Sequence, residues 1–190
     1  LLVVPAIVLV VAATFMRQAG SGVQASFYGI WLKEIGYTAG FIGVLIGISN
    51  GFSALSALTI GPLVRHIIDY WLLIFTVGIA ILGITVTPMF ESGLLLAFAI
   101  SLRGIGQGLN LPLMISIASR SVPASLQGRT AALRITFNRF GSLCFPVIMG
   151  LVAELIGLES AFYVVGGSGL FCLILLAFWL YSVGPKIADK

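Results

Sequence analysis

Six apolar stretches, each long enough to cross a bilayer and separated only by short polar breaks, limit this chain to one broad kind of fold. They run at about 4 to 32, 39 to 64, 70 to 89, 93 to 121, 127 to 156 and 160 to 183, and a spanning helix needs about 20 apolar residues. The breaks are Lys33 to Thr38, Arg65 to Asp69, Pro88 to Ser92, Val122 to Leu126 and Gly157 to Glu159. Inside hydrocarbon the backbone must satisfy its own hydrogen bonds, so apolar runs of this length become helices. The sequence predicts an all-α membrane protein, a single bundle of six transmembrane helices over residues 1–190. Only 8% of the residues are charged against 59% hydrophobic, a balance no water-soluble core requires.

Basic residues set the expected orientation. Arg65, Arg120, Arg129, Lys186 and Lys190 fall at one end of the bundle and Lys33 alone at the other, which by the positive-inside rule places both termini in the cytoplasm. An inner or plasma membrane is the expected location. Trp31, Tyr37 and Tyr163 are assigned to the outer aromatic belt, and Tyr70, Trp71, Trp179 and Tyr181 to the inner one. The net charge of +4 comes from scattered bases, without the basic run that nucleic-acid binding needs. Cys144 and Cys172 sit inside apolar segments and read as packing residues. The chain opens on Leu1, already apolar and without a methionine, as a piece of a longer chain would.

Against this apolar background the fourth segment carries Arg103 at mid-depth. An arginine there costs about 3 kcal/mol on insertion scales, so it reads as functional. Arg103, Gln107, Asn110 and Met114 share one helical face, and Arg17, Ser21, Gln24 and Tyr28 repeat the same offsets in the first segment. Both stretches read R-x-x-G-x-G-x-[QN]. The second segment has Gly43, Gly47 and Gly51 at successive i+4 steps, a small-residue seam for close helix contact, with Ser49, Asn50, Ser53 and Ser56 nearby. The third and sixth are nearly all apolar, and Ile74, Phe75, Ile79, Leu82, Phe171, Leu173, Ile174, Leu176 and Phe178 are expected to face lipid. The order polar, seam, apolar thus occurs twice. Three spans reverse direction, so the halves form two inverted three-helix repeats, an architecture of secondary transporters with polar sites near the midplane. The fifth segment adds Arg134, Asn138 and Arg139, then Gly141 and Pro146, where a kink is expected.

These features resemble the major facilitator superfamily, and one six-helix half of its twelve-helix fold in particular. Gly61-Pro62-Leu63-Val64-Arg65 running to Asp69 resembles a worn G-x-L-x-D-R-x-G-R-[KR] loop, with Arg65 in the Asp place and the later Gly missing. Arg103, Gln107 and Gly108 resemble the helix-four R-x-x-Q-G signature with one extra residue. Gly141, Pro146 and Gly150 resemble G-x-x-x-G-P-x-x-G-G, with Phe145 and Met149 where glycines are expected. Val122-Pro123 and Gln127-Gly128-Arg129 extend the likeness over nearly the whole chain. Worn motifs favour the C-terminal half. The resemblance implies transport by alternating access, with this bundle rocking against a missing six-helix half. It also implies gating or packing roles for Gly61, Arg65, Asp69, Gly141, Pro146 and Gly150, beside the packing role that spacing gives Gly43, Gly47 and Gly51.

The expected substrate-binding set is Arg17, Ser21, Gln24, Tyr28, Arg103, Gln107, Asn110, Met114, Asn138 and Arg139. The acids Glu34, Asp69, Glu91, Glu154, Glu159 and Asp189 lie mostly at helix ends, away from Arg17, Arg103 and Arg139. Buried unpaired charge is not tolerated, so the counter-charge is expected from a substrate, from the other half, or from water in an open cavity. One reading is a carrier of an organic or phosphorylated anion. The alternative is a proton-coupled exporter of drugs or metabolites, in which Arg103 pairs with an acid of the other half. A non-transporting assembly subunit is the reading of a different class. The expected partners are a small-molecule substrate, protons in the coupled alternative, the lipid bilayer and the other half. No cofactor, metal or nucleic acid is expected. An enzyme would need a nucleophile and base or metal ligands. His66 is the single histidine and lies in a loop, and Ser101, Ser116 and Ser119 have no base nearby.

Overall fold

The computed structural model describes residues 4–183, without the side chains of Arg65 and His66. Lys186, Asp189 and Lys190, used above for charge, lie outside the described residues, as does the side chain of Arg65. The first span runs from Pro5 to Glu34. It comprises helix α1 (Pro5–Val23), a π-helical turn (Gln24–Tyr28) and α2 (Gly29–Glu34). Pro5 begins it, where its fixed φ suits a first turn and its missing N–H would be unpaired anyway. The second span is α3 (Ala39–Leu58) and α4 (Ile60–His66), with Thr38 capping α3 by accepting from the Phe41 amide. The stretch 39 to 64 is therefore two helices. Pro62 explains the break, because its ring opposes the carbonyl of Leu58, four residues earlier and the last residue of α3.

The third span, α5 (Asp69–Thr85), has 17 residues and is continued by a short 3-10 turn at Thr87–Met89. Then come α6 (Gly93–Arg120), α7 (Ala124–Ile156) and α8 (Leu158–Val183). Pro146 does not divide α7, which runs unbroken through it. Gly157 ends α7 with φ +91, a conformation that side-chain-bearing residues rarely adopt, and α8 begins at once.

Packing shows the repeat. The closest pairings are α3 with α6, α5 with α6, and α1 with α7. Counting spans, the second against the fourth and the fifth against the first are the same relation shifted by three. Together with α1 against α8 and α5 against α6, these contacts give the all-α membrane fold its two-repeat character.

The small-residue seam is not where the spacing put it. Gly43, Gly47 and Gly51 are exposed, with open space where a Cβ would stand. Close approach instead comes from α6. A Cβ on Gly104 would strike the carbonyl of Ser49, and one on Gly108 the carbonyl of Ser53. Gly106, on another side of α6, abuts the Thr76 carbonyl of α5. The serines of α3, not its glycines, face the bundle, and Ser56 Oγ donates to the Ile105 carbonyl at 3.1 Å. Among the residues expected at the lipid, Phe75, Leu82, Phe171, Ile174 and Phe178 are exposed, but Ile74, Leu173 and Leu176 are buried. An all-apolar helix carries no mark of which side meets lipid and which meets protein, and α5 is packed by α1, α6 and α8. Trp31 is likewise 5% exposed, edge-on to Phe162 at 6.0 Å, and so belongs to the core rather than to a belt.

Two substitutions check this packing by thermal unfolding of the 190-residue chain in detergent. Gly108→Val should cost at least about 2 kcal/mol through overpacking against α3. Gly43→Ala should leave the transition in place.

Candidate functional site

The polar residues of the helix interiors fall into two linked groups. The first joins α1 to α7. Arg17 Nη2 donates to Asn138 Oδ1 at 3.0 Å, and the neighbouring Gln18 donates through Nε2 to the Asn138 carbonyl at 3.3 Å. Ser21 Oγ reaches both the Arg17 carbonyl, at 3.3 Å, and Gln18 Oε1. Gly141 lets α7 come this close, since a Cβ there would lie 2.9 Å from Gln18 Cγ and 3.1 Å from the Phe15 carbonyl. Pro146 and Gly150 continue the same interface, Pro146 opposite Gly22 and Gly150 opposite Phe27. Phe15 packs against Phe140 and Phe145 at ring separations of 5.8 and 5.2 Å.

The second group lies in the crossing of α6 with α3 and α5. Arg103 is 5% exposed and donates through Nη1 to Ser49 Oγ at 3.0 Å. Gly83 of α5 sits against its backbone. Asn110 Oδ1 accepts from Thr76 Oγ1 at 2.7 Å, and Met114 Sδ from Thr14 Oγ1 at 3.3 Å. Asn110, Met114 and Tyr28 are completely buried. Among the described residues, four buried polar atoms lack a hydrogen-bond partner: Arg17 Nε, Arg103 Nε, Tyr28 Oη and Asn110 Nδ2. All four belong to residues the sequence singled out. Buried polar groups normally find partners, and these four find none among the described protein groups.

The arginines stand near one another in pairs. Arg103 lies within Coulombic range of Arg17 and of Tyr28, and Arg17 within range of Arg134. Among the described residues the one ion pair is Arg120 with Asp69, which ties the end of α6 to the start of α5. Asp69 thus closes the base-rich end with Arg120, which also donates to Ser116 Oγ at 2.9 Å. Gly61 is exposed, and Arg65 lies in α4. No described carboxylate pairs with Arg17, Arg103, Arg134 or Arg139.

The expected residues therefore do not form one face. Arg17, Ser21 and Asn138 meet, and Arg103 meets Ser49, while Asn110, Met114 and Tyr28 point into the bundle. Gln24 and Gln107 are partly exposed and Arg139 is exposed. The π turn at Gln24–Tyr28 is one reason, because its wider turn rotates everything after Val23 relative to the regular α6. Gln18, Thr14 and Thr76 were missed by spacing alone. Gln18 is the one with a usable signal, a second strongly polar side chain beside Arg17 in an otherwise apolar run.

Residues 10–190 match the model of the family described as Major Facilitator Superfamily. No curated protein sequence matches the chain.

Two hydrogen-bonded arginines should differ sharply in worth. Ser49→Ala removes a bond to a buried guanidinium and should cost about 1.5–3 kcal/mol. Asp69→Asn loosens an ion pair whose arginine is 58% exposed, and should cost less than about 1 kcal/mol. Chemical denaturation of both variants in parallel checks the order.

Proposed function

The chain belongs to the Major Facilitator Superfamily, a family of secondary transporters, and from that premise we propose that it forms the C-terminal six-helix half of a carrier for an organic or phosphorylated anion. One observation carries the reading: Arg17 stands within electrostatic reach of both Arg103 and Arg134, and no described carboxylate pairs with any of the three. A guanidinium held away from water demands an anion, and its planar fork binds carboxylate or phosphate through paired hydrogen bonds.

The roles divide by access. Arg17, held by Asn138 and only partly buried, is the group placed to touch the substrate. Arg103, deeper and fixed by Ser49, supplies positive potential behind it and has an Nε free to bond when the bundle shifts. Gln24, Gln107 and Arg139 are open enough to orient hydroxyls or carbonyls. Alternating access then moves this bundle against a second six-helix half, which would lie along the exposed glycine face of α3 and the exposed flank of α7. The base-rich ends face the cytoplasm of a cell or inner membrane, as the positive-inside rule directs.

The unused Arg103 Nε also suits a second reading, a proton-coupled exporter whose other half brings an acid to this arginine. Transport by the full-length protein in proteoliposomes, with anionic, cationic and neutral solutes and with or without a proton gradient, separates the two. Under the anion reading uptake is confined to anions, and Arg103→Gln and Arg17→Gln abolish it while Arg120→Gln leaves it intact. An unchanged rate in Arg103→Gln overturns that reading. Gradient-driven movement of cationic or apolar solutes supports the exporter.

A further inference from the structure

At the base-rich end the first turns of α7 stand away from the last turns of α6 and leave a cleft of about 280 Å³ between them. Its walls are unequal. Ile115 and Ala118 of α6 and Ala131 of α7 make it mainly apolar. Ser119 of α6 and Gln127, Thr130 and Arg134 of α7 bring polar groups into it. Gln127 bridges the two helices by donating through Nε2 to the Ser119 carbonyl at 3.2 Å, and Thr130 is buried and bonded to its own helix at the Leu126 carbonyl. That leaves Arg134 as the lining group with charge to offer.

Arg134 is ten residues past Ala124 in α7, so it lies about 15 Å along the axis from the helix start. It is only partly exposed, has no described carboxylate partner, and stands within Coulombic range of Arg17. The cleft thus has a cation at its inner limit and apolar walls outside it. A strongly hydrated sugar phosphate would lose its water against Ile115, Ala118 and Ala131 without recovering hydrogen bonds. A carboxylate or phosphate carrying an apolar body would satisfy both parts at once.

We propose that this cleft is a second anion subsite, for an amphipathic organic anion, from which the cargo passes between the base-rich face and Arg17. The proposal rests on the anion reading above and narrows it to anions with an apolar body. Arg134 holds the anionic head, the α6 and α7 walls hold the body, and Arg17, within Coulombic range of Arg134, is the next cation for the head to meet.

The test uses the full-length protein, otherwise cysteine-free and carrying Ser119→Cys, in neutral phosphatidylcholine nanodiscs, with maleimide labelling of that thiol as the readout. Decanoate at ten times its half-saturating concentration should slow labelling about tenfold, and decanol should not. Arg134→Gln should remove the protection and raise KM for anion transport with kcat unchanged. Arg134→Lys should keep part of both. Arg103→Gln, which stops transport under the central reading, should leave protection in place, so the two readings fail separately. Equal protection by decanol, or full protection in Arg134→Gln, overturns the subsite. Inorganic phosphate protecting as well as decanoate overturns the amphipathic class. Slow labelling produced by phosphatidylglycerol in the nanodisc alone assigns the cleft to lipid and overturns its place on the cargo route.

Discussion

In a bilayer the lipid tails are as apolar as the side chains, so helices are held together by close packing and hydrogen bonds rather than by escape from water. Everything in this bundle depends on how near α6 can come to its two neighbours. Gly104 and Gly108 open one side to the serines of α3, and Gly106 opens another to Thr76 and Ala80 of α5. With backbones in contact, Ser56 can bond the Ile105 carbonyl and Ser49 can reach the guanidinium of Arg103. The glycines between and around the functional side chains are therefore what brings a neutral partner to an arginine that has no acid.

The same closeness makes the charge expensive. Ser49 offers one oxygen to a group with five donors, and Asn138 does the same for Arg17. Neutral partners relieve desolvation without cancelling charge. The arginines therefore keep a positive potential in the interior, which a fully paired site would lack. Stability and function pull apart here, and the packing around Gly83, Gly104 and Gly141 carries the difference.

Much of the architecture was legible because span length and polar breaks are set by bilayer thickness. The end of α6 and the start of α3 follow directly from that. Arg17, Arg103 and Asn138 were legible for a related reason, since a polar side chain is conspicuous in an apolar helix. What could not be read is rotation about each helix axis. Gly43, Gly47 and Gly51 and Ser49, Ser53 and Ser56 share the same period on α3, and only the position of α6 decides which row is inside. Ile74 and Phe75 are both apolar and adjacent, yet one is buried and the other exposed. Trp31 failed for the same reason: a tryptophan near a helix end suits a headgroup layer or a protein neighbour, and Phe162 happened to be there.

The π turn at Gln24–Tyr28 gives the two matching motifs different geometries. One segment carries a phase slip from Gln24 onward and the other does not, and Gln24 lies partly open while its counterpart Asn110 is sealed. A cavity lined by two identical walls would accept a ligand in either of two orientations related by the pseudo-symmetry. On the carrier reading proposed above, unequal walls would distinguish the head of a ligand from its tail and hold it one way round.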